Sequence, residues 1–326
     1  MSTPKKILII KSSSMGDIIH ALPVAHDIRK ALPDVRIDWV AEESFRDIPT
    51  LAPAVEKVQV TAFRRWRKSL LSAGTRAEIA AFKEGLRAER YDCVLDIQGL
   101  MRSGLVARWT GVPSTGYTFG TIREPLAALA YSRRLDLPES LGAVKRYRMA
   151  AAETLGYTID PEHPVFGLEA RGKAPVEADG PTVSFAVNTS RDEKLWPETH
   201  WTELGLALRA RGFTPVIYWG GKAEEERAKR IAATIPGALV SPRARLSDVA
   251  AGLQKASLMI GVDTGLAHLA AALGCPSVGI FVATPTETLG LIGDGPTENL
   301  GGKGQIPSAA AVLAACERVL EKKNNR

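Results

Sequence analysis

Ile7-Leu8-Ile9-Ile10-Lys11-Ser12-Ser13-Ser14-Met15-Gly16-Asp17 carries the reading of the whole chain. Four apolar residues, ended by small polar residues and a glycine, read as a buried strand that turns into a helix. The helix is expected to begin near Asp17 and to carry Ile18, Ile19, Leu22, Val24 and Ile28. Serines and a glycine at such a turn let backbone N–H groups face outward, where an anion or a sugar can sit. Asp17 then stands just past the carboxyl end of the strand, where open α/β sheets bind ligands. Taken alone, the turn favours a plainer role for Asp17, that of a carboxylate stabilising the helix N-terminus. The rest of the chain shifts that balance.

Outward from this stretch, strands alternate with helices. Arg36–Ala41 and Val55–Val60 read as further strands, a helix runs from Arg76 to Glu89, and Cys93–Ile97 is a strand ending at Gln98-Gly99-Leu100. A helix follows through Val106, whereas Arg123–Arg148 is rich in charge and shows little strand character. Glu169–Pro181, with its Ala, Gly, Pro and charge, reads as a linker, after which Thr182–Val187 restarts the pattern. Helices over Trp201–Arg211, Glu224–Ile235, Leu246–Lys255 and Leu266–Leu273 are interleaved with strands Pro215–Trp219, Leu258–Val262 and Ser277–Val282. Such alternation predicts a parallel sheet with covered faces. The expected architecture is two doubly wound α/β domains, 1–170 and 171–326, facing a central cleft. The last helix, from about Ala309 to Leu320, is a candidate to pack back on the first domain.

Composition limits what this chain does. Its 326 residues are 45% hydrophobic and 24% charged, which is globular and long enough for two domains. The net charge of +6 divides as +4 over residues 1–170 and +2 over the rest, a mild excess that does not by itself point to nucleic acid. Cys93, Cys275 and Cys316 lie far apart with no CxxC spacing, which fits a reduced, cytoplasmic setting and argues against a thiolate metal site. The apolar run before Lys11 is too short for a signal peptide, and Asp263, His268, Gly274 and Pro276 interrupt the stretch from Ser257 to Ala283 that resembles a membrane span.

Three further strand ends hold candidate chemistry. Asn188-Thr189-Ser190-Arg191-Asp192-Glu193-Lys194-Leu195-Trp196-Pro197 offers two hydroxyls and a point charge suited to phosphate, with Trp196 and Pro197 able to brace the next helix. At Val262-Asp263-Thr264-Gly265-Leu266-Ala267-His268 a tight turn opens a helix whose N–H groups suit a diphosphate. There Asp263 is better matched to sugar hydroxyls than to phosphate, and His268 donates to phosphate or packs. Glu224, after Trp219-Gly220-Gly221, is placed to take ribose hydroxyls or to serve as an ordinary acidic first turn. Walker A, GxGxxG, HExxH and GxSxG motifs are absent. No Asp-x-Asp pair of the kind that holds a metal on a nucleotide sugar appears either, so a leaving diphosphate is expected to be neutralised by Lys194 and helix N–H groups, without metal or cofactor.

In order along the chain, Ser13-Ser14-Met15-Gly16-Asp17, Asp96-x-Gln98-Gly99-Leu100, Arg123-Glu124-Pro125, Lys194-x-Trp196-Pro197 and Asp263-Thr264-Gly265-Leu266-x-His268 closely resemble the type I lipopolysaccharide heptosyltransferases of glycosyltransferase family 9. The resemblance spans nearly the whole chain. It implies a GT-B fold and inverting transfer of L-glycero-D-manno-heptose from its ADP-linked donor to the Kdo region of Kdo2-lipid A, peripherally at the cytoplasmic face of the inner membrane. It further implies Asp17 as base and Lys194 as the group that stabilises the leaving diphosphate. The implied donor set is Thr189, Ser190, Lys194, Glu224, Asp263, Thr264, Gly265, Leu266 and His268. On the acceptor side it implies Ser13, Ser14, Gly16, Gln98 and Arg123 with the basic run Arg64-Arg65-Trp66-Arg67-Lys68. Two departures accompany it: Phe281-Val282-Ala283-Thr284-Pro285 stands where the family usually has Gly-Pro-Thr, and Ser190 replaces the second Thr of a pair. The rival readings are a type II heptosyltransferase, a sugar-nucleotide 2-epimerase on a similar fold, and a basic module binding nucleic acid or a lipid surface. The Asp-Glu-Lys-Leu-Trp-Pro stretch and the basic run favour type I, and no nucleic-acid-binding motif is present.

Overall fold

β1 (Lys6–Ile10) is paired in parallel on both edges, to β2 (Arg36–Glu42) and to β4 (Cys93–Asp96), which is why Ile7, Leu8, Ile9 and Ile10 are apolar without alternation and wholly buried. The computed structural model describes residues 4–286 and 290–325. With β3 (Val55–Thr61), β5 (Ser114–Tyr117) and β6 (Arg133–Leu135), the first sheet has the order β3-β2-β1-β4-β5-β6. The second sheet holds β7 (Thr182–Ala186), β8 (Thr214–Ile217), β9 (Leu239–Val240), β10 (Leu258–Val262), β11 (Ser277–Phe281) and β12 (Thr297–Gly301). Its order, β12-β11-β10-β7-β8-β9, repeats the first when each half is counted from its own start. This is the doubly wound nucleotide-binding arrangement. In each half the order reverses beside the first strand, so the loops after β1 and β4, and after β7 and β10, diverge to open a crevice.

Two compact units follow from the contacts, Met1–Val165 and Phe166–Arg326. Glu169–Pro181, expected as a linker, has no helix or strand. It lies against α9 (Leu246–Lys255), where Ala170 N donates to Gln254 Oε1 at 3.0 Å and Lys173 N to Asp248 Oδ1 at 3.2 Å. The last helix, α11 (Ala309–Asn324), packs on β11 and on α7 (Glu198–Ala210) of its own unit, burying Val312, Cys316 and Val319 against a core that includes Trp196, Trp201 and Leu208.

Two local expectations are corrected. The first helix is two, α1 (Met15–Ala21) and α2 (Pro23–Ala31), because Pro23 has no N–H to continue the first and serves as the start of the second. Arg123–Arg148 is not irregular throughout: it contains β6 and opens α6 (Ala143–Leu155). Two of the arginines that made this segment look solvated, Arg146 and Arg148, are buried with partners. Arg146 Nε donates to Leu137 O at 2.9 Å, while Arg148 grips Asp27 of α2 with Nε to Oδ2 at 2.7 Å and Nη2 to Oδ1 at 3.1 Å.

That buried pair locks α6 onto α2. Asp27→Ala leaves the Arg148 charge uncompensated and is expected to cost about 3 kcal/mol, whereas Asp27→Leu with Arg148→Met recovers most of the loss. Chemical denaturation of the three proteins checks this, and an unchanged midpoint for Asp27→Ala contradicts it.

Candidate active site

At the first crevice, Asp17 lies one turn into α1. Its Oδ2 accepts from Ser14 N at 2.9 Å and from Ser14 Oγ at 2.5 Å, so the helix-capping role read from the sequence is real. The carboxylate also has a second partner. Lys11 Nζ stands 3.8 Å from Asp17 Oδ1, and Lys11 is only 3% exposed whereas the Asp17 side chain is 39% exposed. The lysine is held from behind by Tyr147 of α6, whose hydroxyl accepts from Nζ at 2.8 Å and whose ring centroid is 4.5 Å away. Burial pushes the Asp17 carboxyl up, the Lys11 ammonium and the Ser14 donations pull it down by more, and the net is below the ordinary aspartate range. The result is an accessible, ionised carboxylate whose counter-charge is buried.

The loops around it interlock. Gln98 Oε1 accepts from Ser12 N at 2.9 Å and Ser13 N at 3.2 Å, fixing the serine turn from the β4 side of the crevice. Buried Asp96 shapes the Gln98-Gly99 turn by accepting both N–H groups, at 2.8 and 3.2 Å, with Tyr131 Oη donating to its other oxygen at 2.7 Å. Gly99 has φ 70°, which favours glycine at this turn. Glu124 N donates to Gly99 O at 3.2 Å, and Glu124 Oε2 caps α5 (Met101–Trp109) by accepting from Met101 N at 2.6 Å. The Arg123-Glu124-Pro125 element is thereby docked on the Gln98 turn, with Arg123 exposed beside it. Gly16 is half-buried in the first turn of α1, and Ser13 Oγ accepts from Arg102 Nη2 at 2.8 Å.

The basic run forms α3 (Phe63–Trp66) and the turn after it, on the same sheet edge. Glu42, buried at the end of β2, accepts from Arg64 N at 2.9 Å and Phe63 N at 3.2 Å, while its own N–H donates to Ser12 O at 3.0 Å. The four cations are not equivalent. Arg65 is occupied by Glu78, at 2.9 Å, and Glu43, at 3.3 Å. Arg64 lies over the Phe45 ring, and Arg67 and Lys68 are exposed and make no ion pair among the described residues.

In the second unit the β7 and β10 loops meet. Lys194 Nζ donates to Asp263 Oδ2 at 2.5 Å, Thr284 Oγ1 donates to the same oxygen at 3.0 Å, and Thr189 Oγ1 donates to Asp263 O at 2.9 Å. His268 Nε2 is 3.8 Å from Asp263 Oδ1. Burial pushes the Asp263 carboxyl up, but the hydrogen bond from His268 and the hydrogen bond and charge of Lys194 hold it far below the usual range. Asp263 therefore faces the lysine and the histidine, where the sequence reading had matched it to sugar hydroxyls. Thr264 precedes α10 (Gly265–Ala272), so Gly265 and Leu266 present the first backbone donors of that helix. Glu224, in the first turn of α8 (Lys222–Ala233), turns its Oε2 back to Gly220 N at 2.7 Å, and Asn188 Nδ2 donates to Glu224 O at 3.3 Å. Ser190 is exposed at the loop tip. Trp196 is buried and donates to Pro307 O at 2.9 Å, so it anchors the loop that carries Lys194.

Residues that sequence reasoning did not single out include Lys11, Tyr147, Glu42 and Thr284. Lys11 had a signal, a cation directly after four buried apolar residues. Thr284 lies in the departing Phe281–Pro285 segment, which here supplies a hydroxyl to Asp263. Among the described residues no three of His, Cys, Asp and Glu gather as metal ligands.

The sequence profile of glycosyltransferase family 9 (heptosyltransferase) matches residues 79–312. The chain is 40% identical over 303 residues to lipopolysaccharide heptosyltransferase 1 of Escherichia coli (strain K12), covering 90% of this chain and 95% of that protein. The structure of E. coli heptosyltransferase WaaC with ADP matches with a TM-score of 0.87 at 36% identity, covering 96% of this chain and 99% of WaaC. WaaC with ADP-2-deoxy-2-fluoro heptose matches with a TM-score of 0.84 at 37% identity, covering 98% and 99%. The two doubly wound halves are those of a GT-B enzyme, and the chain belongs to glycosyltransferase family 9, working as a heptosyltransferase in lipopolysaccharide core assembly.

Proposed function

We propose that the enzyme moves L-glycero-D-manno-heptose from ADP-heptose to a Kdo hydroxyl of Kdo2-lipid A, with inversion, while associated peripherally with the cytoplasmic face of the inner membrane. Residues 1–165 bind the acceptor and 166–326 the donor. The observation that carries this reading is the half-exposed Asp17 carboxylate held ionised by buried Lys11. WaaC bound to an ADP-heptose analogue supports the donor.

Asp17 takes the proton of the Kdo hydroxyl as that oxygen attacks the anomeric carbon, and the bond to the diphosphate breaks on the opposite face. Lys11 donates to Tyr147, so its charge favours the carboxylate without occupying the exposed side. Negative charge grows on the leaving diphosphate, where Lys194 and the first N–H groups of α10 stabilise it electrostatically. Asp263, Thr284 and His268 hold Lys194 and the loop in place before the donor arrives. Glu224 takes the ribose hydroxyls, Thr189 and Ser190 line the donor loop, and Arg64, Arg67, Lys68 and Arg123 meet the acceptor's carboxylates and phosphates. Arg65 holds the turn through Glu43 and Glu78.

Two substitutions separate the roles. Asp17→Asn keeps shape and capping but accepts no proton, so kcat falls roughly 10²–10⁴-fold with ADP affinity nearly unchanged. Lys194→Ala, by contrast, weakens ADP binding and lowers kcat/KM by about 100-fold or more. Single-turnover kinetics and ADP titration read both, and a folded Asp17→Asn enzyme with wild-type kcat removes the base.

The Lys11 pairing gives a second test. Activity requires ionised Asp17, so it is present above the Asp17 pKa and lost below it. Lys11→Met removes the charge that depresses that pKa, so the acid limb of the kcat/KM profile moves up by about one pH unit or more. Lys11→Arg keeps the limb low, and a lower plateau with an unmoved limb in Lys11→Met leaves Lys11 as packing only.

A further inference from the structure

Past the basic turn the chain reads Arg67-Lys68-Ser69-Leu70-Leu71-Ser72, and its two leucines do not fold back on the protein. Leu70 is 55% exposed and Leu71 90%, the latter the most exposed large apolar side chain among the described residues. Single exposed leucines are ordinary. An adjacent pair beside two cations that make no ion pair among the described residues is a different surface.

The tip is built. Lys68 N donates to Arg65 O, Ser69 N to Trp66 O and Ser72 N to Ser69 O, each at 3.0 Å, so the segment is wound turn on turn. At one end Trp66 is buried, packs edge-on to Phe63 with ring centroids 5.3 Å apart, and donates to Glu78 Oε2 at 2.8 Å. At the other, Ser72 caps α4 (Ala73–Ala88) by accepting from Thr75 N at 3.1 Å, and Thr75 Oγ1 bonds Ser69 Oγ at 3.0 Å. Anchored at both ends, the turn presents Leu70 and Leu71 outward with Arg67 and Lys68 one step behind them.

We infer that the Leu70-Leu71 tip, with Arg67 and Lys68, docks on an anionic lipid bilayer. Leucines inserted at the headgroup boundary and cations left among anionic headgroups are the two signals that together give stable interfacial binding. Residues 67–72 contain no carboxylate to oppose that charge. The tip follows β3 on the sheet edge that also carries the Asp17 loop, so a bilayer held there is presented to the acceptor side of the same unit. The inference rests on the proposed acceptor being a membrane lipid.

The test uses the full-length protein and vesicles of phosphatidylethanolamine with phosphatidylglycerol, against vesicles of phosphatidylcholine alone. Wild type is expected to sediment with the anionic vesicles and poorly with the neutral ones. Leu70→Ser with Leu71→Ser should weaken partition on the order of tenfold or more. The same variant should keep kcat/KM within about twofold on a deacylated, water-soluble acceptor while losing activity on acceptor embedded in vesicles, since insertion and chemistry then separate. Wild-type partition by the double variant overturns the inference. Equal loss on the soluble acceptor also overturns it, because the leucines then belong to the acceptor site. A protein that binds anionic vesicles through these leucines but transfers no heptose supports the docking surface and refutes the proposed reaction instead.

Discussion

Where a parallel sheet reverses its strand order, two neighbouring loops part, and in this chain the chemistry stands mainly on loops of that kind. β1 is flanked by β2 and β4, and β7 by β8 and β10, so each half has one such crevice. The residues that fill it come from distant parts of the sequence, yet short bonds tie them together. Gln98 holds the serine turn after β1, and Lys194 after β7 reaches Asp263 after β10. Loops fixed by bonds made before any ligand arrives lose little freedom on binding, which is how preorganised charge gains its value.

Both crevices use a lysine and an aspartate, but with different exposure. In the first, the lysine is sealed beneath Tyr147 and the aspartate faces outward; in the second, both are nearly buried and the aspartate steadies the lysine. The difference matches two jobs. A base must reach a hydroxyl and stay ionised, while a diphosphate site needs a cation held at a fixed point. The Asp27–Arg148 pair serves the first arrangement at a distance, because it fixes α6, and α6 carries Tyr147.

The central strands were legible because both faces are buried and they are largely apolar: β1, β4, β7, β10 and β11 all read correctly as strands. Short and edge strands were legible only in part: edge strand β3 and four-residue β8 were read, whereas others were not. β5, β9 and β12 offer few residues or little apolar pattern, and β12, Thr-Glu-Asn-Leu-Gly, is half-buried throughout. α6 was concealed by arginines that look solvated in sequence and are buried against Asp27 and backbone carbonyls. The Asp17, Lys194 and Asp263 loops were legible as strand ends. Their pairings were not, since Lys11–Tyr147 spans 136 residues and Lys194–Asp263 spans 69, distances over which local pattern carries no information.

One measurement bears most directly on the reaction. Purified enzyme is given ADP-heptose and Kdo2-lipid A that carries no heptose, and ADP release, product mass and anomeric configuration are followed together. Heptosylated lipid formed one-for-one with ADP, with the anomeric centre inverted and no ADP released without acceptor, is the result expected. Interconversion of the donor sugar without acceptor, or transfer only to an acceptor that already carries heptose, contradicts it.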